Sequence, residues 1–402
     1  MGARRALEVD VKRIAVLLFA VVVVAAPLAA YAADQADGLI SKFNRELVSH
    51  AKKCVVGIWI MEAPDGFPTP VGIGSGFIFQ SIPEENAAYA LTNNHVGFNT
   101  IMLQCETWDR HTYKAQAIAL EPGIDIALIK VFDIPPDAYE VAVLGDSDSL
   151  TIGEPSLAMG APGSGESLNT NRSDPWKSFG LHGTATLRVV TGIETNPFTM
   201  VKWWPGFQDM GYEALCNLPY RIVTQSGING GNSGGPLFNA RGEVIGLNHA
   251  HSFEGGVQNF TIPINPAKNF AFQILDTGKY ELPWLGLDML VPPEMMSRMA
   301  NSTYFNLGGG ISEFYEKYYK EKALKVFNVR PDCPAERAGF KAEDVILEFD
   351  GQAFPTVTDL RLYIFQLPIG KEVPVVVKRG REKVKLTVEV GVKRHYNSEF
   401  SF

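Results

Sequence analysis

A chain of 402 residues has room for two or three domains and a large buried core. Its formal net charge of −8 excludes the basic surface that nucleic-acid binding requires. Neither a Cys-x-x-Cys zinc spacing nor a phosphate-loop glycine pattern occurs, so no metal and no cofactor is expected.

The first 32 residues read as a targeting segment. Arg4, Arg5, Lys12 and Arg13 precede an apolar run from Ile14 to Ala26, and Ala30-Tyr31-Ala32 follows. That pattern predicts a secretory signal cleaved after Ala32. Left uncut, Ile14 to Ala30 is long enough to anchor the chain in a thin bilayer. Both alternatives export the remainder. Export permits disulfides, and Cys54, Cys105, Cys216 and Cys333 allow three pairings between which the sequence does not choose.

Residues 33–53 carry Leu39, Phe43, Leu47 and Val48 at helical spacing and predict an amphipathic helix. From Cys54 the pattern changes to short apolar strands separated by Gly and Pro turns. They are Val55–Ile60, Gly74–Phe79, Ala88–Thr92, Thr100–Gln104, Ala115–Leu120, Ile124–Val131, Ser156–Met159 and His182–Val190. The strands resume at Tyr220, and this first domain, 54–266, is predicted to be mainly β, a barrel or sandwich. Two long segments interrupt it, Ala161–Gly180 and Thr195–Pro219; the second holds Trp203 and Trp204, placed to grip a partner or to pack on their own domain. Residues 267–283 read as a helix and linker closed by Gly278.

A second domain is expected over 284–394, followed by a tail, 395–402. It has strands at Leu324–Val329, Asp344–Phe349, Val373–Lys378 and Lys383–Val390, a helix at Val357–Gln366, and an insert near 306–322 rich in Gly and Tyr.

Three sites carry chemistry. Gly230-Gly231-Asn232-Ser233-Gly234-Gly235-Pro236 sets a lone Ser among residues that tolerate positive φ and close backbone approach. Thr92-Asn93-Asn94-His95-Val96 places a His just after a strand. In Gly123-Ile124-Asp125-Ile126-Ala127-Leu128, Ile124, Ile126 and Leu128 share one strand face and put Asp125 on the other. A carboxylate among such neighbours needs a partner such as an imidazole N–H. Singly, each has a structural explanation; together they read as nucleophile (Ser233), base (His95) and orienting acid (Asp125), with the Gly231 and Ser233 amides as an oxyanion hole.

With these motifs and Gly74-Ser75-Gly76 in view, the chain resembles the HtrA/DegP-type serine proteases, from about Ala51 to its end. The resemblance implies a chymotrypsin-like double β-barrel followed by a PDZ domain, a small α+β sandwich. It implies an ATP-independent endopeptidase of the periplasm or cell envelope, a homotrimer or higher oligomer, acting on unfolded or damaged polypeptides. It further implies a small apolar pocket near Ile228, Leu247, Asn248 and His249, selecting aliphatic residues before the scissile bond. Trp284-Leu285-Gly286-Leu287 resembles the loop with which a PDZ domain cradles a peptide C-terminus. Leu360 and Ile364 either line that groove or belong to the core. The sequence departs from the family at Gln225, where an acid is usual, and in the two long segments, which in such enzymes switch the oxyanion hole between ordered and collapsed forms. A peptide-binding adaptor or chaperone on a protease-like scaffold is the alternative.

Overall fold

The computed structural model describes residues 45–62, 69–97, 102–161, 184–194, 220–225, 231–252, 258–289 and 324–393. The predicted targeting segment, residues 162–180 and 195–219 of the two long segments, the Tyr-rich insert, Ile228 and Cys216 therefore lie outside the described residues. Of the predicted N-terminal helix, residues 45–53 are described and are helical, and the helix runs on through Cys54. Among the described residues, no helix is long and apolar enough to cross a membrane.

Two six-stranded barrels follow, as a chymotrypsin-like fold requires. The first closes in the order β1-β2-β3-β6-β5-β4. Its strands are β1 (Val55–Glu62), β2 (Thr69–Ile82), β3 (Ala87–Thr92), β4 (Met102–Glu106), β5 (Thr112–Glu121) and β6 (Ile126–Val131). The period of two is visible in β1. Val56 and Ile58 point into the barrel with Ile78, Ala90, Leu103 and Ile129. Trp59 and Met61, on the other face, pack with Ile73 and Met102. The Trp59 indole N–H is satisfied by Glu106 Oε2 at 2.9 Å, as a buried polar group must be.

The second barrel contains β8 (Pro155–Gly160), β9 (Thr184–Glu194), β10 (Arg221–Thr224), β11 (Pro236–Asn239), β12 (Glu243–Ser252) and β13 (Gln258–Pro263). It runs β11-β8-β9-β10-β13-β12 and closes through β11–β12, with the two-residue β7 (Val143–Leu144) added outside β12. The predicted turn after the Ser-bearing loop is present. Asn239 Oδ1 accepts from the Arg241 and Glu243 amides, which fixes the β11–β12 hairpin. The helix Ile264–Thr277 follows and ends on Gly278 in the left-handed conformation.

The second domain is built around the sheet β16-β18-β19-β20: Leu324–Lys325, Val345–Phe349, Glu372–Arg379 and Glu382–Glu389. The expected strand 324–329 is broken at 326–327, where Val326 drops into the core and β17 (Asn328–Val329) turns to pair with β15 (Leu287–Asp288). Leu360 and Ile364, on the helix Val357–Phe365, are buried in the core cluster with Phe349, Val375 and Val377. Leu362 of the same helix packs on the second-barrel cluster of Val190, Tyr220, Ile222 and Leu237.

Candidate active site

His95 lies in a single helical turn, Asn94–Gly97, at the end of β3. Asp125 differs from expectation. It is not a strand residue: it sits at φ 54° in the turn 122–125, and β6 begins one residue later. Aspartate tolerates the left-handed region better than most residues because its short side chain can bond locally. Here Asn93 Nδ2 donates to the Asp125 carbonyl oxygen at 3.0 Å and pins the turn. The carboxylate is 3% exposed and both oxygens are used. Oδ1 accepts the His95 backbone N–H at 2.9 Å, and Oδ2 lies 2.8 Å from His95 Nδ1. That geometry assigns the His95 proton to Nδ1 and leaves Nε2 as the basic nitrogen.

The charges follow from the placement. Burial works against the Asp125 carboxylate, but His95 and His249 hold its pKa far below the ordinary carboxylate range. Burial pushes His95 down, and the Asp125 charge and hydrogen bond overcome it, leaving His95 above its ordinary value.

Ser233 enters from the second barrel. Its Oγ donates to the His249 carbonyl oxygen at 3.3 Å. The surrounding loop is held by backbone bonds: Gly234 N–H to the Asn248 oxygen at 2.8 Å, Gly235 N–H to the Asn232 oxygen at 3.0 Å, and Asn248 N–H to the Gly235 oxygen at 2.8 Å. No described residue accepts from the Gly231 or Ser233 amide.

Ser75 ties the two barrels together. Its N–H donates to the Ser233 carbonyl at 2.8 Å and its carbonyl accepts from Thr92 Oγ1 at 2.6 Å. Its hydroxyl donates to the Gly231 carbonyl at 2.6 Å and accepts the Ala161 amide at 2.8 Å. Ser75→Ala would leave two buried backbone groups unpaired, each costing about 1–3 kcal/mol. A drop of roughly 2 kcal/mol or more in unfolding free energy is expected by urea titration, with loss of activity beyond the loss of fold. A variant as stable as the parent would show that the bonds are replaced.

Three of the four predicted pocket residues are described, and all three are buried. Leu247 is fully buried, and Asn248 Nδ2 donates to the Met159 and Pro236 carbonyls at 3.0 and 3.3 Å. The His249 ring is buried beside Asp125, its Nε2 3.0 Å from Oδ2. Spacing along the chain did not reveal that placement.

His95, Asp125 and His249 offer ligand atoms within 4.8 Å of one another. The N···O separations of 2.8 and 3.0 Å are hydrogen-bond lengths, shorter than the roughly 3.3 Å between two tetrahedral zinc ligands. The donor set fits an acid–base pair. Cys54, Cys105 and Cys333 are buried; burial pushes Cys54 and Cys105 up to about 12, so neither is a nucleophile at neutral pH.

In the second domain, Trp284 ends β14 (Leu282–Trp284), which pairs with β21 (Gly391–Lys393). Leu285 is buried and its carbonyl accepts the Ala335 amide; the Gly286 carbonyl accepts the Arg330 amide, both at 2.9 Å. Gly286, at φ 86°, sits against Cys333, where a Cβ would overlap the Cys333 side chain.

A family model for the trypsin-like peptidase domain matches residues 74–247, and one for the PDZ domain matches 301–390. The chain is 30% identical over 329 residues to HhoB of Synechocystis sp., covering 82% of this chain and 68% of that protein. The chain belongs to the HtrA/DegP-type serine proteases. Serine protease Do-like HtrA of Bacillus subtilis is 30% identical over 79% of this protease, and periplasmic serine endoprotease DegP of Escherichia coli 27% over 80%. The matches span 63% and 57% of those two relatives, so the protease covers about three fifths of their length. Among solved structures, an HtrA-type protease AlgW with decapeptide superposes with a TM-score of 0.61 at 25% identity, over 87% of this chain and 98% of that one.

Proposed function

We propose that the protein is an ATP-independent endopeptidase of the cell envelope that cleaves unfolded or damaged polypeptides through an acyl-enzyme. The observation that carries this reading is the doubly bonded Asp125 carboxylate on His95, across the barrel seam from a Ser in a glycine-rich loop. Ser233 Oγ attacks the scissile carbonyl, and its proton passes to His95 Nε2. The Gly231 and Ser233 amides stabilise the oxyanion, and Asp125 stabilises the imidazolium. The proton then goes to the leaving amine, and water repeats the sequence to release the acyl group.

The PDZ domain supports peptide recognition: β15 pairs with β17 alone among the described strands, which leaves an edge for strand addition beside Leu285 and Gly286. Relatives named as periplasmic endoproteases, and the N-terminal sequence pattern, favour export to the envelope. An oligomer, a trimer in the first instance, belongs to the same reading.

Fluorophosphonate labelling tests it. Wild type should be labelled and should cleave casein; Ser233→Ala should do neither while still binding unfolded casein. Undiminished cleavage by Ser233→Ala overturns the reading, and an unlabelled wild type that binds casein is the result the adaptor alternative requires. Because His95 must be neutral to act, and Asp125 raises its pKa above 6.5, activity should fall on the acid side through a pH above that value. A profile flat well below that pH would argue against a His base.

A further inference from the structure

His249 touches both ends of the proposed triad. Its backbone carbonyl accepts the Ser233 hydroxyl at 3.3 Å, and its ring Nε2 lies 3.0 Å from Asp125 Oδ2, the oxygen that also serves His95 Nδ1. The His95 and His249 ring centroids are 5.9 Å apart. The side chain is 3% exposed, so this ring does not meet bulk solvent. A β-bulge places it there. In β12, Asn248 pairs with Thr261 and Ala250 with Phe260, so the β12–β13 register slips at His249. Such a slip re-aims one side chain out of the regular alternation. Here it aims an imidazole at the triad acid.

We infer that His249 is a positioning residue of this active site: its Nε2–H holds the Asp125 carboxylate through the oxygen shared with His95, and so fixes how strongly Asp125 draws on the His95 proton. The inference rests on the triad reading above.

At 3.0 Å, and out of solvent, the ring edge bears directly on the carboxylate charge. The groups that bear on His249 are Asp125 from the turn before β6, His95 from the helical turn after β3, and Arg221 from β10. Burial comes first and holds His249 below the ordinary histidine range; His95 and Arg221 add to this, and Asp125 opposes it. His249 is therefore a neutral donor at neutral pH, not a second cation. A neutral donor spreads the Asp125 charge over two imidazoles. Without it, more of that charge falls on His95, the imidazolium is favoured, and the base is protonated at higher pH.

The test is a pair of substitutions read by a pH profile. His249→Gln keeps an amide N–H near the place of Nε2 and cannot titrate. His249→Leu fills the space and donates nothing. For His249→Leu, kcat on a peptide substrate should fall about tenfold or more, the loss typical of one contact to a charged group, with KM little changed. Its acid limb should move to higher pH. His249→Gln should restore most of kcat and return the limb towards the wild-type position. Circular dichroism melts of both variants and the Ser233→Ala control accompany the assay. A His249→Leu enzyme with wild-type kcat and acid limb overturns the inference. So does a loss shared equally by both variants with the limb unmoved, which a purely structural residue would give. If His249→Leu does not fold, the Gln variant decides: kcat within a few-fold of wild type supports the inference, and a loss of more than tenfold in a variant that melts like wild type overturns it. Retained cleavage by Ser233→Ala removes the triad reading itself, whereas its loss beside unaffected His249 variants removes only this inference.

Discussion

Asp125→Asn is expected to fold and to lose about 10⁴-fold in kcat, the loss characteristic of neutralising the acid of such a triad. The substitution is informative because of where Asp125 sits. At φ 54° it needs a residue that tolerates the left-handed region, and Asn does so as well as Asp. The backbone bond from Asn93 Nδ2 to the carbonyl of residue 125 is untouched. What changes is the side chain's polarity. The His95 backbone N–H faces Oδ1 and needs an acceptor. The Asn oxygen must therefore take that position, which turns the amide N–H₂ towards His95 Nδ1. His95 then carries its proton on Nε2, and the nitrogen that should receive the Ser233 proton is already occupied. The variant also tests linkage. A depressed Asp125 pKa stabilises the fold above the unfolded carboxylate value, and that stability is lost as pH falls through the folded one. Melting temperatures of wild type and Asp125→Asn should thus differ near neutrality and converge in acid. A kcat within tenfold of wild type would remove Asp125 from the mechanism.

The second large effect is expected at Gly234. It adopts φ 83°, and a Cβ there would fall on Thr92 Oγ1 and on the Ser75 carbonyl oxygen, with the Asn93 amide nitrogen 2.9 Å away. Two of those three are backbone atoms of the first barrel, and Thr92 Oγ1 is itself bonded to the Ser75 carbonyl, so none can give way cheaply. Left-handed strain adds roughly 1–2 kcal/mol to the overlap. Gly234→Ala should cost about 3 kcal/mol or more in unfolding free energy, as overpacking and strain combine. It should also lose at least about 100-fold in activity, because the loop bearing Ser233 is pushed away from the helical turn bearing His95. Denaturant titration and fluorophosphonate labelling rate check both. A stable, fully labelled variant would mean that the loop holds another conformation.

Much of this was legible in the chain itself. The alternation in β1, the polar turn between β11 and β12, and the three short motifs of the site each depend on neighbours within a few residues. Periodicity and turn chemistry report such features. The limits are equally local. Ile124, Ile126 and Leu128 alternate like a strand, which hid the turn that Pro122 and Gly123 announce; only the φ at Asp125 separates the two. The break at Val326 is set by pairing with residues some forty positions away. His249 reads as a pocket residue from its sequence alone, because a bulge between Asn248 and Ala250 is decided by the partner strand β13. Leu360 and Ile364 show the same limit: their helical spacing is equally suited to a groove and to a core, and the sheet they meet places them in the core.

The seam between the barrels has a consequence for how the enzyme comes into being. His95 and Asp125 belong to the first barrel, and Ser233 and His249 to the second; the Ser75–Gly231 bond that joins them spans 156 residues of sequence. Contacts that distant close last, since the loop entropy they require is recovered only once both halves are formed. A nascent chain with only its first barrel folded holds an acid and a base with nothing to activate. The capacity to cleave is thus tied to the docking of the two barrels rather than to the folding of either one.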